Sequence, residues 1–143
     1  MTWLLVFALL DALVLSIGPQ SGCAEDFSLV GVWDLRSTMA PSRLVIREAG
    51  EGYIRDQVEA LPFTYQLDLS KDPLWFDLQF EDTTMVNWQT LLRCEGSADA
   101  PVLKWVLRPA DGIRPEWPRD DASAPPGVSV LRLWGVEPGD SVP

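Results

Sequence analysis

The sequence predicts an all-β fold of about eight short antiparallel strands, closed into a barrel or packed as a sandwich. Hydrophobic and polar residues alternate with a period of two, most clearly over Phe63 to Leu69 and Leu74 to Glu81, which is typical of strands with one wet face. No amphipathic helical pattern runs for more than about 10 residues. Turn residues separate the alternating runs, so the connections are expected to be short.

The chain opens with the pattern of a signal peptide. Leu4 to Ile17 form an apolar run that is shorter than the roughly 20 residues needed to span a bilayer. The run ends at Gly18-Pro19, and Gly22-Cys23-Ala24 supplies the small residues that a signal peptidase reads. We therefore expect a signal peptide over residues 1–24 and one exported domain over residues 25–143, either periplasmic or secreted.

The two cysteines leave three outcomes open. Cleavage after Ala24 would leave Cys94 alone as a small buried side chain. An earlier cut would allow a Cys23–Cys94 disulfide in an oxidising compartment. Lipidation of Cys23 is the third outcome, although Gln20 stands where a lipoprotein signal has an aliphatic residue. The protein is expected to meet a membrane only in that last case.

Eight segments of the predicted domain have strand character. Glycines between the second and third of them can adopt the positive φ that a tight turn needs. In chain order the candidates are Leu29–Leu35, Arg43–Arg47, Tyr53–Asp56, Phe63–Leu69, Leu74–Glu81, Trp88–Cys94, Leu103–Arg108 and Val128–Trp134.

The fourth and fifth candidates predict a hairpin around Ser70 to Pro73. Alternation places their apolar residues on an inner face, with one exception, because Trp75 falls on the polar face beside Asp77. A tryptophan among polar groups can stack on a sugar or anchor a protein partner. A cross-strand pair on the barrel exterior is the alternative explanation.

The segment Pro109 to Gly127 interrupts the strand pattern with five prolines in nineteen residues. It is predicted to be a long loop. One interpretation is a solvated connection, and the other is a flap over the mouth of the barrel with Trp117 as its apolar tip.

Composition excludes several classes of function. The formal charge of −10 argues against nucleic acid and anionic membranes as partners, because both need clustered Lys and Arg. The chain has no histidine, which excludes Ser-His, Cys-His and His-metal chemistry. Asp68, Ser70 and Asp72 have the spacing that begins a calcium loop, but Pro73 stands where the sharp-turn glycine belongs. We predict no catalytic residues, no metal site and no cofactor.

Several short motifs together resemble a family. They are Gly31-Val32-Trp33, Tyr65 to Pro73, Phe76-Asp77-Leu78, Leu103-Lys104-Trp105 and Ile113 to Trp117. In this combination the chain resembles the lipocalin-like small-domain family that is abundant in planctomycete-type bacteria. The resemblance implies a small lipocalin-like β-barrel without an established enzymatic activity, and a binding or scaffolding role by analogy.

The resemblance also implies how the barrel is closed. Gly31 and Trp33 would open the first strand, with the indole of Trp33 closing one end of the barrel. An arginine from the final strand would lie across that indole as a cation–π partner, and Arg132 is the candidate. The alternative is that Arg132 points to solvent.

Two functions follow from a non-catalytic exported barrel. In the first, the interior binds a small apolar or amphipathic ligand through inward Phe63, Tyr65, Phe76, Phe80 and Trp105. In the second, these side chains fill the interior. The domain is then a protein interaction or inhibitor-type module that meets another exported protein through Trp75, Trp117 and the Pro-rich loop.

Overall fold

A computed structural model describes residues 22–24, 27–35, 42–97 and 100–136. Most of the predicted signal peptide, residues 1–21, lies outside them. No helix in the described ranges is long and apolar enough to cross a membrane. The strands are β1 (Gly31–Leu35), β2 (Ser42–Arg47), β3 (Glu51–Arg55), β4 (Ala60–Asp68), β5 (Leu74–Phe80), β6 (Trp88–Gly96), β7 (Pro101–Leu107) and β8 (Ser129–Gly135).

The eight strands form one closed antiparallel barrel. Each strand pairs with the next along the chain, and β8 returns to β1 through the pairs Trp33–Gly135 and Leu35–Leu133. This arrangement confirms the predicted all-β fold and selects the barrel over the sandwich. Closure also removes the unpaired edge strands that an open sheet would expose.

The β4–β5 hairpin has the faces that alternation predicts. Leu74, Phe76, Leu78 and Phe80 are all buried, whereas Trp75 on the opposite face is exposed. β4 pairs with β5 along its length, from Phe63–Phe80 to Asp68–Trp75. The period-two pattern therefore identified the inward side chains of β5 correctly. It was wrong for Leu69, which it placed on the inner face and which is 65% exposed just beyond the end of β4.

Six aromatic side chains form a closed ring of contacts inside the barrel. Neighbouring ring centroids lie between 4.9 and 6.4 Å apart, distances at which tilted and edge-to-face pairs are favourable. The contacts run Phe63–Tyr65, Tyr65–Phe76, Phe76–Trp105, Trp105–Trp88, Trp88–Phe80 and Phe80–Phe63. Each ring thus has another aromatic ring on two sides, and the set fills the inner side of the wall formed by β4 to β7.

One polar side chain is built into this core. Thr90 is fully buried, and its Oγ1 accepts a hydrogen bond from Trp105 Nε1 at 2.7 Å and donates one to the Phe76 carbonyl. A buried indole N–H without an acceptor would lose about 1–3 kcal/mol. Thr90 therefore satisfies Trp105 and ties β6 to both neighbouring strands.

The segment before β1 packs against one end of the barrel. Trp33 is 5% exposed, and its Nε1 donates to the carbonyl of Leu29 at 2.9 Å. Phe27 contacts the same indole with ring centroids 6.4 Å apart. A disulfide joins Cys23 to Cys94 in β6, so this segment is covalently attached to the wall.

Candidate binding face

The Pro-rich connection between β7 and β8 lies against the outside of the barrel wall. We call Arg108 to Val128 the strap, because it contacts β5, β6, β7 and β8 in turn. The segment is the long loop that the sequence predicts, and most of its residues are exposed, as expected of a solvated connection. The interpretation as a flap over the barrel mouth is wrong, because the middle of the segment packs on the wall. Pro115 and Pro118 in its middle are buried.

The strap covers apolar residues on the outer face of the sheet. Leu91 and Val106 are opposite each other in β6 and β7, on the side away from the core. They are nevertheless only 4% and 0% exposed. Pro115 and Pro118 of the strap are buried in the same way. Burial of these four apolar side chains stabilises the strap on the sheet.

The first anchor of the strap is at the start of β6. The carbonyl of Gly112 accepts a hydrogen bond from Gln89 N at 2.9 Å. Gly112 has φ +69°, and a Cβ at this position would lie 1.8 Å from the carbonyl oxygen of Asn87. Only glycine fits this close approach.

Replacing Gly112 with alanine is expected to detach the strap while the barrel stays folded. The expected readout is limited proteolysis within Arg108 to Val128, faster by at least tenfold, with little change in the far-ultraviolet circular dichroism. Gly127→Ala is the matched control, since Gly127 also has positive φ but a Cβ there meets nothing within 4 Å. Equal proteolysis of both variants would contradict the proposed anchor.

The second anchor neutralises a row of cations on the outer wall. Arg93, Lys104 and Arg132 are adjacent in register on β6, β7 and β8, and like charges directly opposite one another are destabilising. The strap supplies Asp121, which contacts Lys104 Nζ at 2.9 Å and also binds Arg132. It also supplies Trp117, whose ring lies 4.7 Å from the Arg93 guanidinium carbon and 5.0 Å from Lys104 Nζ.

Trp117 is therefore not the free tip that the sequence suggested, because its ring holds the strap against two cations. Arg132 also requires a correction. Its Nε donates to Glu95 at 3.0 Å and its guanidinium binds Asp121, so it lies on the outer wall and not across Trp33. The solvent-side alternative for Arg132 is the correct one, with two acidic partners.

The strap contact is expected to weaken in acid. Hydrogen bonds from Arg132 and then Lys104 lower the pKa of Asp121 from 3.8 to about 2. Because the folded pKa is the lower one, the contribution of this carboxylate to stability is complete above pH 4 or so and is lost as the pH falls through about 2. In urea titrations at several pH values, the stability advantage of the wild type over Asp121→Asn should be constant above pH 4 and shrink below it. A difference that is independent of pH would contradict this assignment.

Trp75 lies beside the first part of the strap and keeps an exposed surface. It is 38% exposed, and its ring centroid is 3.9 Å from the Arg114 guanidinium carbon and 4.7 Å from Lys71 Nζ. Arg114 is itself fixed, since it donates to Asp77 Oδ2 and to the carbonyl of Thr90, both at 2.8 Å. The tryptophan and the arginine therefore form a preorganised pair on the outside of the barrel.

Two clefts flank this pair. One has a volume of about 660 Å³ and is lined by residues from the end of β4 and from β5, including Leu69, Trp75 and Asp77. The other, of about 420 Å³, is polar and includes Asp77, Gln79 and Gln89. We give the name Trp75 face to most residues of the two clefts, together with the two cations on Trp75 and the residue before Arg114. It comprises Thr64, Gln66, Asp68, Leu69, Lys71, Trp75, Asp77, Gln79, Asn87, Gln89, Ile113 and Arg114.

The structure brings the five predicted ligand-binding side chains together, but they contact one another. Phe63, Phe76, Phe80 and Trp105 are 5% exposed or less, and with Tyr65 they belong to the aromatic ring of contacts. Of the five, only Tyr65 lines either of the two clefts, the polar one of about 420 Å³. None of them lines a third cleft, of about 510 Å³, beside Trp33 and the disulfide. The geometry therefore favours a filled interior over an internal ligand site.

The fold places the chain in the class of small, closed, eight-stranded antiparallel barrels. No known protein family, curated protein or solved structure that was compared with the chain matches it. Its resemblance to the lipocalin-like family therefore stays a prediction from the motifs. In the described residues, no group of three or more acidic or cysteine side chains is arranged to hold a metal ion.

Proposed function

We propose that this protein is a non-catalytic recognition module that works outside the cytoplasm and binds another exported protein through the Trp75 face. The observation that carries the proposal is the combination of an aromatic-filled interior with an exposed Trp75–Arg114 pair on the outer wall. Tryptophan and arginine are the residue types most enriched at the energetic centres of protein interfaces.

The surroundings of the pair support a protein partner. Leu69 lines the same cleft as Trp75, and Ile113 directly precedes Arg114 in the chain. Their side chains are 65% and 59% exposed. They add exposed apolar surface beside the pair. Gln66, Gln79 and Gln89 are exposed around it, which gives the polar rim typical of interfaces.

The face is also rigid before any partner arrives. Arg114 is held by Asp77 and by β6, and the strap that carries it is anchored at Gly112 and at Asp121. A preorganised surface reduces the entropy that binding costs.

Site-specific photocrosslinking in the organism that makes the protein tests this proposal. A benzophenone amino acid at Leu69 should give a discrete adduct with one exported protein. The matched control is the same probe at Val58, which is 91% exposed in the turn before β4, at the opposite end of that strand from Leu69. Trp75→Ala should reduce the adduct from position 69 by at least tenfold without lowering the melting temperature by more than a few degrees.

Three results would contradict the proposal. They are no adduct from position 69, the same adducts from positions 69 and 58, and an adduct that does not depend on Trp75. In the last case, the partner would contact the end of β4 without using the Trp75–Arg114 pair.

A further inference from the structure

The disulfide bears on how the chain is processed. Cys23 is 6% exposed, belongs to the hydrophobic core and is bonded to Cys94. Cys94 is on β6, in register with Leu103 of β7. Cys23 is therefore part of the folded barrel and not of a segment that is discarded.

The residue before Cys23 is fitted to the barrel as well. Gly22 has φ +75°, and a Cβ there would lie 2.3 Å from the carbonyl oxygen of Cys94. This conformation and this distance both require glycine. Gly22 and Cys23 thus both lie against the barrel wall at Cys94.

Two expected fates of Cys23 are incompatible with this arrangement. Cleavage after Ala24 would remove Cys23 and leave a lone thiol at Cys94. Lipidation would convert the Cys23 sulfur into a thioether, and a thioether sulfur cannot form a disulfide. Only a cut that precedes Gly22 keeps both the pairing and the close contact with Cys94.

We propose that the leader is removed before Gly22 and that the exported protein carries Cys23 as half of an oxidised Cys23–Cys94 pair, without a lipid. In forming the bond, the two thiols lose two protons and two electrons. An exported dithiol–disulfide oxidoreductase accepts them as its own disulfide becomes a dithiol. The oxidising compartment that the export signal implies is where such an enzyme works.

Intact mass spectrometry of the full chain, expressed with its own leader and exported to an oxidising periplasm, tests the proposal. The purified protein is denatured in iodoacetamide before or after reduction. We expect one species that begins at or before Gly22, with no alkylated thiol before reduction, two after it, and no added acyl mass. A protein that starts at Glu25 with one alkylated thiol, an acylated Cys23 or a retained leader would overturn the proposal.

Two variants separate processing from pairing, and both are read under denaturing conditions, so the result does not depend on folding. Exported Cys94→Ala should carry one alkylated thiol, at Cys23, whereas cleavage after Ala24 would leave none. Gly22→Ala keeps a small residue for the peptidase but places a Cβ against Cys94. It should therefore show thiols that are alkylated before reduction, and complete oxidation of this variant would contradict the role given to Gly22.

Discussion

Replacing Phe76 with alanine is expected to lower the free energy of unfolding by about 4 kcal/mol, the middle of the range for truncating a buried aromatic side chain. Phe76 is 0% exposed and contacts both Tyr65 and Trp105 in the aromatic ring of contacts. Its removal would leave a cavity that two large, fixed rings cannot close. Urea denaturation of the purified protein, followed by circular dichroism, measures the loss.

Val58→Ala is the control for Phe76→Ala, because Val58 is 91% exposed and its truncation should change stability by less than about 0.5 kcal/mol. The loss of unfolding free energy in Phe76→Ala also shows how tightly the interior of the barrel is packed. A loss of less than about 1 kcal/mol would mean that the barrel already contains free space around Phe76. That result would reopen the possibility of an internal ligand.

Loss of the disulfide is expected to cost a similar amount, about 4 kcal/mol. Cys23 and Cys94 are 71 residues apart in sequence, and the chain-entropy relation for a loop of that length gives about 4.4 kcal/mol at 25 °C. The variant Cys23→Ala/Cys94→Ala should show this loss in urea denaturation when it is compared with the oxidised wild type.

Reduction supplies the internal control for this prediction. Wild-type protein in excess dithiothreitol should fall to the stability of the double alanine variant, whereas the variant itself should not respond to the reductant. A wild type that is equally stable with and without the reductant, while its thiols are shown to be free, would contradict the role of this bond in fastening the N-terminal segment.

The period-two pattern predicted the barrel wall well. The alternation in β4 and β5 identified Phe63, Phe76 and Phe80 as inward and Trp75 as outward, and the structure agrees. Strand ends were predicted less well. β4 begins at Ala60 and not at Phe63, and β6 runs to Gly96 and not to Cys94, because pairing with neighbours extends a strand beyond the residues that alternate.

The strap was not predictable from local pattern, because its contacts join residues far apart in sequence. Arg114 meets Asp77 across 37 residues, and Trp117 meets Arg93 on another strand. The sequence did contain a signal. Leu91-Leu92 and Trp105-Val106-Leu107 break the alternation, and consecutive apolar residues in an antiparallel strand indicate that its outer face is covered as well.

The candidate site was predicted only in part. Trp75 was identified because it breaks the polar face of its own strand, which is a local feature. Arg114, which fixes the indole environment, was missed as a site residue because nothing within the strap sequence indicates that it reaches Asp77 and Thr90. Arg132 was assigned to Trp33 by analogy, whereas its register next to Lys104 places it on the outer wall.

We infer that side chains fill the interior of the barrel and that a partner binds on its outer wall. A ligand titration tests this inference most directly. The purified protein, with Trp75 replaced by phenylalanine so that the signal comes from the remaining tryptophans, is titrated with fatty acids, isoprenoids and small aromatic compounds. We expect no saturable change in fluorescence and no rise in melting temperature. Saturable quenching with a raised melting temperature would show that the interior accepts a ligand and would contradict this account.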